Sequence, residues 1–91
     1  MIQLETTQVL PLTMDATGTI HVTGSRVTLD TLVHGFKKGD SPEHLTSSFP
    51  TVSLAQLYAI LAYDLDHRDA VVEYLRQRAV KAARWRLHGN H

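Results

Sequence analysis

The chain has 91 residues, of which 43% are hydrophobic, enough for one small domain with a modest core. Nine basic and nine acidic residues cancel, so the net charge indicates neither a nucleic-acid nor a membrane partner. The absence of cysteine excludes disulfides and thiolate sites, and no apolar run approaches the roughly 20 residues of a membrane span. We therefore expect a soluble, cytoplasmic protein.

The first predicted element is a β-hairpin over residues 8–23. Its first strand is marked by four apolar residues: Val9, Leu10, Leu12 and Met14. Pro11 places that strand at a sheet edge, and Ile20 and Val22 alternate with polar residues in the second strand. The free strand edge predicts a place where a strand of a partner could add. Residues 1–7 carry no strong pattern, and we expect them to be loosely ordered.

The next predicted element is a helix capped by Thr28. One face of it is apolar, at Leu29, Leu32, Val33 and Phe36. Lys37 and Lys38 occupy its last turn, where cations suit the helix dipole, and Gly39 is a typical helix stop. The spacing therefore predicts an amphipathic helix that packs on the hairpin.

Two more helices with a tight turn between them follow. Ser41 caps a short helix whose first residue is Pro42, and the Phe-Pro pair at residues 49–50 ends it. Ser53 then caps a longer helix with Gln56 at the capping-box position. A short helix, a turn and a longer helix are typical of a helix-turn-helix, which indicates a binding module.

The longer helix is apolar nearly all round. Its core face is predicted at Leu54, Leu57 and Leu61. Ile60 and Tyr63 lie on another side, so we expect them to form a dimer or partner interface. The other interpretation is a recognition helix in the DNA major groove, for which Gln56 is the only base-reading side chain that residues 54–66 offer.

A last helix is predicted from Arg68 to Leu87, after a break near Asp66 and His67. Its apolar side comprises Val71, Val72, Leu75, Ala79, Ala82 and Ala83. Residues 1–66 hold three basic and seven acidic side chains, whereas residues 67–91 hold six basic and two acidic ones. This basic end is either a solvated face or a surface for DNA phosphates or an acidic protein groove. Trp85 within it either anchors a partner or packs back on the domain.

Four segments together resemble a bacterial family, the domain of unknown function 433. They read GSRVTL at 24–29, SPEHL at 41–45, FP at 49–50 and LAQLYAILAY at 54–63. The resemblance covers roughly residues 8–78, and the basic extension beyond Arg78 lies outside it. It implies a homeodomain-like helix-turn-helix and an antitoxin that acts beside a PIN-like nuclease toxin.

Three further residue patterns bear on function. Arg26, after Gly-Ser, is either a phosphate contact or a structural arginine that ties the hairpin to a group such as Asp30. The six histidines lack ligand spacing, so we expect neither a metal nor a cofactor. No nucleophile or phosphate-loop pattern is present, so we expect no enzyme activity and no small-molecule substrate.

We predict a mainly α-helical protein with a short N-terminal β-hairpin and a homeodomain-like helix-turn-helix bundle. Residues 8–66 form the hairpin and three-helix core, and residues 67–91 form a basic helix and tail. The predicted function is a homodimeric antitoxin that binds a PIN-like toxin and operator DNA; the alternative is a dimeric adaptor without a DNA role. The candidate DNA contacts are Arg26, Gln56, Arg76, Arg78, Lys81, Arg84 and Arg86. The candidate interface residues are Val9, Leu10, Leu12, Ile60, Tyr63 and Trp85.

Overall fold

The computed structural model describes the backbone of residues 9–89 and the side chains of residues 9–83. An antiparallel hairpin of β1 (Leu12–Met14) and β2 (Ile20–Val22) precedes four helices: α1 (Leu29–Lys38), α2 (Pro42–Ser48), α3 (Leu54–Asp66) and α4 (Arg68–Gly89). The predicted class, mainly helical with an N-terminal hairpin, is confirmed. The predictions for residues 1–7 and for the side chains of Arg84, Trp85 and Arg86 lie outside what is described.

Asp15 shapes the hairpin turn. Its carboxylate accepts hydrogen bonds from the backbone N–H groups of Thr17 at 2.9 Å and Thr19 at 3.1 Å. The outer edge of β2 is covered, because Val22 N–H donates to the carbonyl of Val27 at 2.9 Å. Among the described residues β1 pairs only with β2, so its outer edge is the open one.

The residues predicted to cap α1 and α2 do so in the structure. The hydroxyl of Thr28 accepts from the backbone N–H of Thr31 at 3.2 Å, and Gly39 ends α1 in the left-handed conformation with φ 93°. The hydroxyl of Ser41 accepts from the N–H of His44, and Pro42 occupies the first helical position. These caps fix both helix boundaries.

The core lies where β2 and all four helices meet. Its buried apolar side chains are Val22, Leu29, Leu32, Val33, Leu45, Val52, Leu57, Ile60 and Val71. Tyr74 and Leu75 of α4 pack partly against this cluster. The predicted apolar side of α4 is only partly right, because Val72 is 47% exposed and the three alanines at 79, 82 and 83 are exposed as well.

The length of α4 explains this exposure. The helix has 22 residues and is therefore about 33 Å long at 1.5 Å per residue. The molecule measures 63 Å in its longest dimension and 27 by 23 Å across. A body of this width covers only the first half of α4, so the second half extends beyond the core.

Candidate interaction surface

Gln56, the one side chain of α3 predicted to contact DNA bases, caps the N-terminus of its own helix. The amide oxygen of Gln56 accepts a hydrogen bond from the backbone N–H of Ser53 at 2.9 Å, and the Ser53 hydroxyl accepts from the N–H of Gln56 at 3.1 Å. This reciprocal capping box satisfies two donors that the helix itself leaves unpaired. Gln56 is therefore engaged within its own helix and is half-buried.

The buried side of α3 differs from the predicted one. Ile60 is fully buried in the core beside Leu57. The prediction that Ile60 is exposed on the monomer and forms a dimer or partner interface is therefore wrong. Leu54, predicted in the core, is 39% exposed. Helical period cannot select the buried side of a helix that is apolar nearly all round; here the packing of α2 and α4 selects it. Tyr63 is half-buried and stacks on His67, with ring centroids 4.3 Å apart.

The outward side of α3 is an apolar band that we call the α3 stripe: Leu54, Tyr58, Leu61 and Leu65. The spacing of four, three and four residues places these side chains along one helix face. Tyr58 is 47% exposed and Leu65 is 59% exposed, while Leu61 is half-buried. Large apolar side chains aligned on an exposed helix face are typical of a surface that binds protein.

Two carboxylates border the α3 stripe. The hydroxyl of Tyr58 donates a hydrogen bond to Glu43, and this bond lowers the pKa of the Glu43 carboxyl. Asp66, the last residue of α3, is exposed. The stripe is therefore apolar, with one carboxylate beside Tyr58 and another at its C-terminal end.

Arg78, a predicted DNA contact, instead ties α4 to the body of the domain. Its Nε donates to Oδ2 of Asp30 in α1 at 2.6 Å, and its Nη1 donates to the Thr19 hydroxyl at 2.9 Å. The hydroxyl of Tyr74 accepts from Ile20 N–H at 2.8 Å and donates to Oδ1 of Asp30 at 3.3 Å. We call Arg78, Tyr74 and Asp30 the α4 latch. The carboxylate of Asp30 raises the pKa of Arg78, which stays charged.

The other described cations of α4 are also engaged; Arg68 pairs with Asp64 at 3.7 Å. Arg76 makes a two-bond contact with Glu73, at 2.7 and 2.9 Å, and this contact lowers the pKa of Glu73 to about 2. The ammonium of Lys81 donates to the carbonyl of Thr17 in the hairpin turn at 3.3 Å. The Arg76 and Lys81 contacts are exposed, so solvent weakens them and a partner could compete for these cations.

Arg26 is exposed and forms no hydrogen bond or ion pair with residues 9–83. The neighbouring Ser25 holds the loop, since its hydroxyl lies 2.9 Å from that of Thr51 in the turn between α2 and α3. The structural tie to Asp30 that was considered for Arg26 is made by Arg78. Arg26 therefore remains a candidate for binding an anion.

A groove between the hairpin turn and α4 was not foreseen from the sequence. It has a volume of about 760 Å³ and is lined by residues that include Met14, Gly18, Gln77 and Val80. Met14 is 60% exposed. The two sides of the groove are more than 50 residues apart in the chain, so no local sequence pattern indicates that they meet.

The three interface candidates of the hairpin do not share one surface. Val9 is 93% exposed and Leu10 is half-buried, whereas Leu12 packs partly against the core. Since Leu12 N–H already donates to the carbonyl of Leu10, the open edge of β1 offers few groups for an added strand.

Other kinds of site are not found in the described part of the chain. Residues 9–83 contain no cluster of three His, Asp or Glu side chains suited to a metal ion. No described helix combines the length and hydropathy that crossing a membrane requires.

The sequence profile of a family described as "Protein of unknown function (DUF433)" matches residues 16–63, just over half of the chain. The match runs from the hairpin turn through most of α3 and excludes α4. Neither a curated protein nor a solved structure matches the chain.

Proposed function

The chain belongs to the DUF433 family, and from this premise we propose that it is an antitoxin that binds a PIN-like nuclease toxin and holds it inactive. The observation that carries the proposal is the groove between the hairpin turn and α4, where apolar side chains and cations lie together. The outward surface of α3 adds an argument against base reading. A helix that reads bases presents free Arg, Lys, Asn or Gln side chains to the groove. The α3 stripe instead presents leucine and tyrosine, with Gln56 engaged in the capping box. Such a surface favours protein over DNA.

Electrostatics favour the same choice. Glu43 beside Tyr58 and Asp66 at the C-terminal end of α3 repel phosphates, and Arg78 is held by Asp30. Operator binding, where it occurs, rests on phosphate contacts from exposed cations such as Arg26 and Lys81, which position a protein without specifying a sequence. Autoregulation by DNA binding is therefore the secondary part of this proposal.

We assign the toxin to the groove between the hairpin turn and α4. Met14 and Val80 supply apolar walls, and the lining carries the cations Arg76, Arg78 and Lys81 against one carboxylate, that of Glu73. A nuclease with clustered acidic residues would be attracted by these cations, because complementary charge steers association. The contacts of Lys81 and Arg76 within the chain are exposed and exchange readily for a partner's carboxylates.

Co-expression with the product of the adjacent gene tests this function, where that gene encodes a small PIN-like protein with clustered acidic residues. We expect that protein alone to arrest growth and this chain to restore it. Lys81→Glu should lose most of the rescue, because it reverses charge at the groove. Lys37→Glu makes the same charge change on α1, away from the groove, and should rescue like the wild type.

Two outcomes would overturn the proposal. Growth arrest that the wild-type chain does not relieve would contradict the toxin assignment. Equal loss of rescue in Lys81→Glu and Lys37→Glu, with both variants folded by circular dichroism, would contradict the groove. A neighbour without toxicity would favour the dimeric adaptor without a DNA role.

A further inference from the structure

We propose that the α3 stripe binds α4 of a second copy of this chain, in a reciprocal dimer where each copy contributes one α3 and one α4. This proposal does not depend on the identity of any toxin. It assigns a partner to an exposed apolar helix surface.

The surface of α4 that we pair with α3 is the α4 stripe: Val72, Ala79 and Ala83. All three side chains are exposed, and their spacing of seven and four residues places them on one helix face. This face differs from the groove face, which carries Gln77, Val80 and Lys81. Arg76 borders both faces, so the dimer leaves open the side of the groove that holds Val80 and Lys81.

The two stripes match in length and in shape. From Leu54 to Leu65 and from Val72 to Ala83 the chain advances eleven residues, about 16 Å of helix in each case. The α3 stripe presents large side chains, whereas the α4 stripe has alanine at two of its three positions. Large side chains that insert between small ones are the arrangement by which two helices pack closely.

Charge identifies a second copy as the partner. The carboxylates of Glu43 and Asp66 border the α3 stripe, while Arg68 and Arg76, which are 49% and 61% exposed, flank the α4 stripe. Arg68 pairs with Asp64 at 3.7 Å and Arg76 with Glu73 at 2.7 Å, and a partner's carboxylates can compete for these exposed guanidinium groups. The same polarity runs through the whole chain, whose first 66 residues are acidic and whose remainder is basic. An acidic apolar face and a basic apolar face on one molecule are complementary between two copies.

The stripes do not cover each other within one copy. Leu65 at 59% and Val72 at 47% remain exposed in the same structure. Only His67 separates α3 from α4, so α4 cannot fold back over the outward side of its own α3. An intermolecular contact satisfies both surfaces.

A reciprocal dimer also halves the interface area that each α3–α4 contact must bury. A stable dimer buries about 800 Å² on each partner, more than one helix stripe offers. Because each copy donates α4 and accepts α4, the contact is made twice. Each α3–α4 contact then needs to bury only about half of that area on each side.

Sedimentation equilibrium of the isolated chain, without toxin or DNA, tests this dimer. We expect a wild-type dimer, and we expect Leu65→Glu in the α3 stripe and Ala83→Glu in the α4 stripe each to weaken it by about tenfold or more. His34→Glu, on the exposed side of α1, is the matched control and should stay dimeric. Circular dichroism establishes that each variant is folded.

Mixing the two variants separates reciprocal exchange from other dimers. The Leu65→Glu copy keeps an intact α4, and the Ala83→Glu copy keeps an intact α3, so an equimolar mixture restores one of the two contacts. We expect a heterodimer that is tighter than either variant alone. A monomeric wild type at high micromolar concentration would refute the proposal. Dimerisation unaffected by Ala83→Glu, or a mixture no tighter than the separate variants, would refute the exchange and indicate a different dimer.

Because this test uses the chain alone, its result is separate from that of the growth assay. A dimer that fails to rescue growth would contradict only the toxin assignment. A monomer that rescues growth would contradict only the exchange.

Discussion

Arg78 illustrates how the role of a single charge depends on a partner far away in the sequence. From the sequence it belongs to a basic run that suits phosphate, yet its guanidinium binds Asp30, 48 residues earlier, and Thr19, 59 residues earlier. A pairing between residues so far apart cannot be predicted from a short sequence pattern. The hydrogen bonds of the α4 latch therefore make Arg78 a structural residue first.

We predict that Arg78→Met lowers the free energy of unfolding by about 1 to 2 kcal/mol, because it leaves Asp30 without its charged donor in a partly buried position. Arg76→Met is the matched control, since the Arg76–Glu73 pair is exposed and its loss should change stability little. Urea denaturation of both variants measures the difference. Equal losses, or a loss only in Arg76→Met, would contradict the α4 latch.

Tyr74 provides a second residue-level test through pH. Burial raises the pKa of Tyr74 above its usual 10.0, so its hydroxyl favours the protonated form in the folded protein. The contribution of Tyr74 to the free energy of unfolding is therefore fully present below pH 10 and is lost as the pH rises through the pKa of the folded state. We predict that Tyr74→Phe is less stable than the wild type at neutral pH and that the difference shrinks above pH 10. A constant difference in denaturation across this range would contradict the prediction.

At the scale of elements, helix boundaries were predictable and the buried side of α3 was not. Thr28, Ser41 and Ser53 cap their helices through bonds to residues three positions on, which short sequence patterns encode. The orientation of α3 depends on long-range packing, which buries Ile60 and leaves Leu54 outside. For the same reason the groove beside the hairpin could not be predicted from the sequence.

We predict that Gln56→Ala acts on helix stability and leaves DNA specificity unchanged. Loss of the capping box should lower the free energy of unfolding by about 0.5 to 1 kcal/mol, and Ser53→Ala should lower it by about 1 kcal/mol. Thermal melts measure both effects. A Gln56→Ala variant with unchanged stability but altered preference among DNA sequences would restore the interpretation of α3 as a base-reading helix.

At the scale of the whole molecule, the small core carries three different surfaces that could bind a partner. The α3 stripe is apolar with two carboxylates beside it, the α4 stripe lies between Arg68 and Arg76, and the groove beside the hairpin turn holds Met14, Val80 and Lys81. The uneven charge along the chain was visible in the sequence. Which cations remain available was not, because Arg76 and Arg78 are engaged in the folded chain.

The family match ends at residue 63, before α4 begins, so the latch, the groove and the α4 stripe all include residues beyond it. We infer that the matched part supplies the scaffold and that α4 adds the features by which this chain selects partners. Under the proposed function, partner selection therefore depends on a helix held to the body by Val71, Tyr74 and Arg78.

The central claim is inhibition of a nuclease by protein binding, and a titration of nuclease activity tests it most directly. The purified PIN-like product of the adjacent gene would cleave a fluorescent RNA while increasing amounts of this chain, freed of nucleic acid, are added. We predict that cleavage falls to background when this chain is added in a near-stoichiometric amount. The Lys81→Glu variant should reach the same inhibition only in large excess. Full cleavage in the presence of excess folded wild-type protein would contradict this prediction.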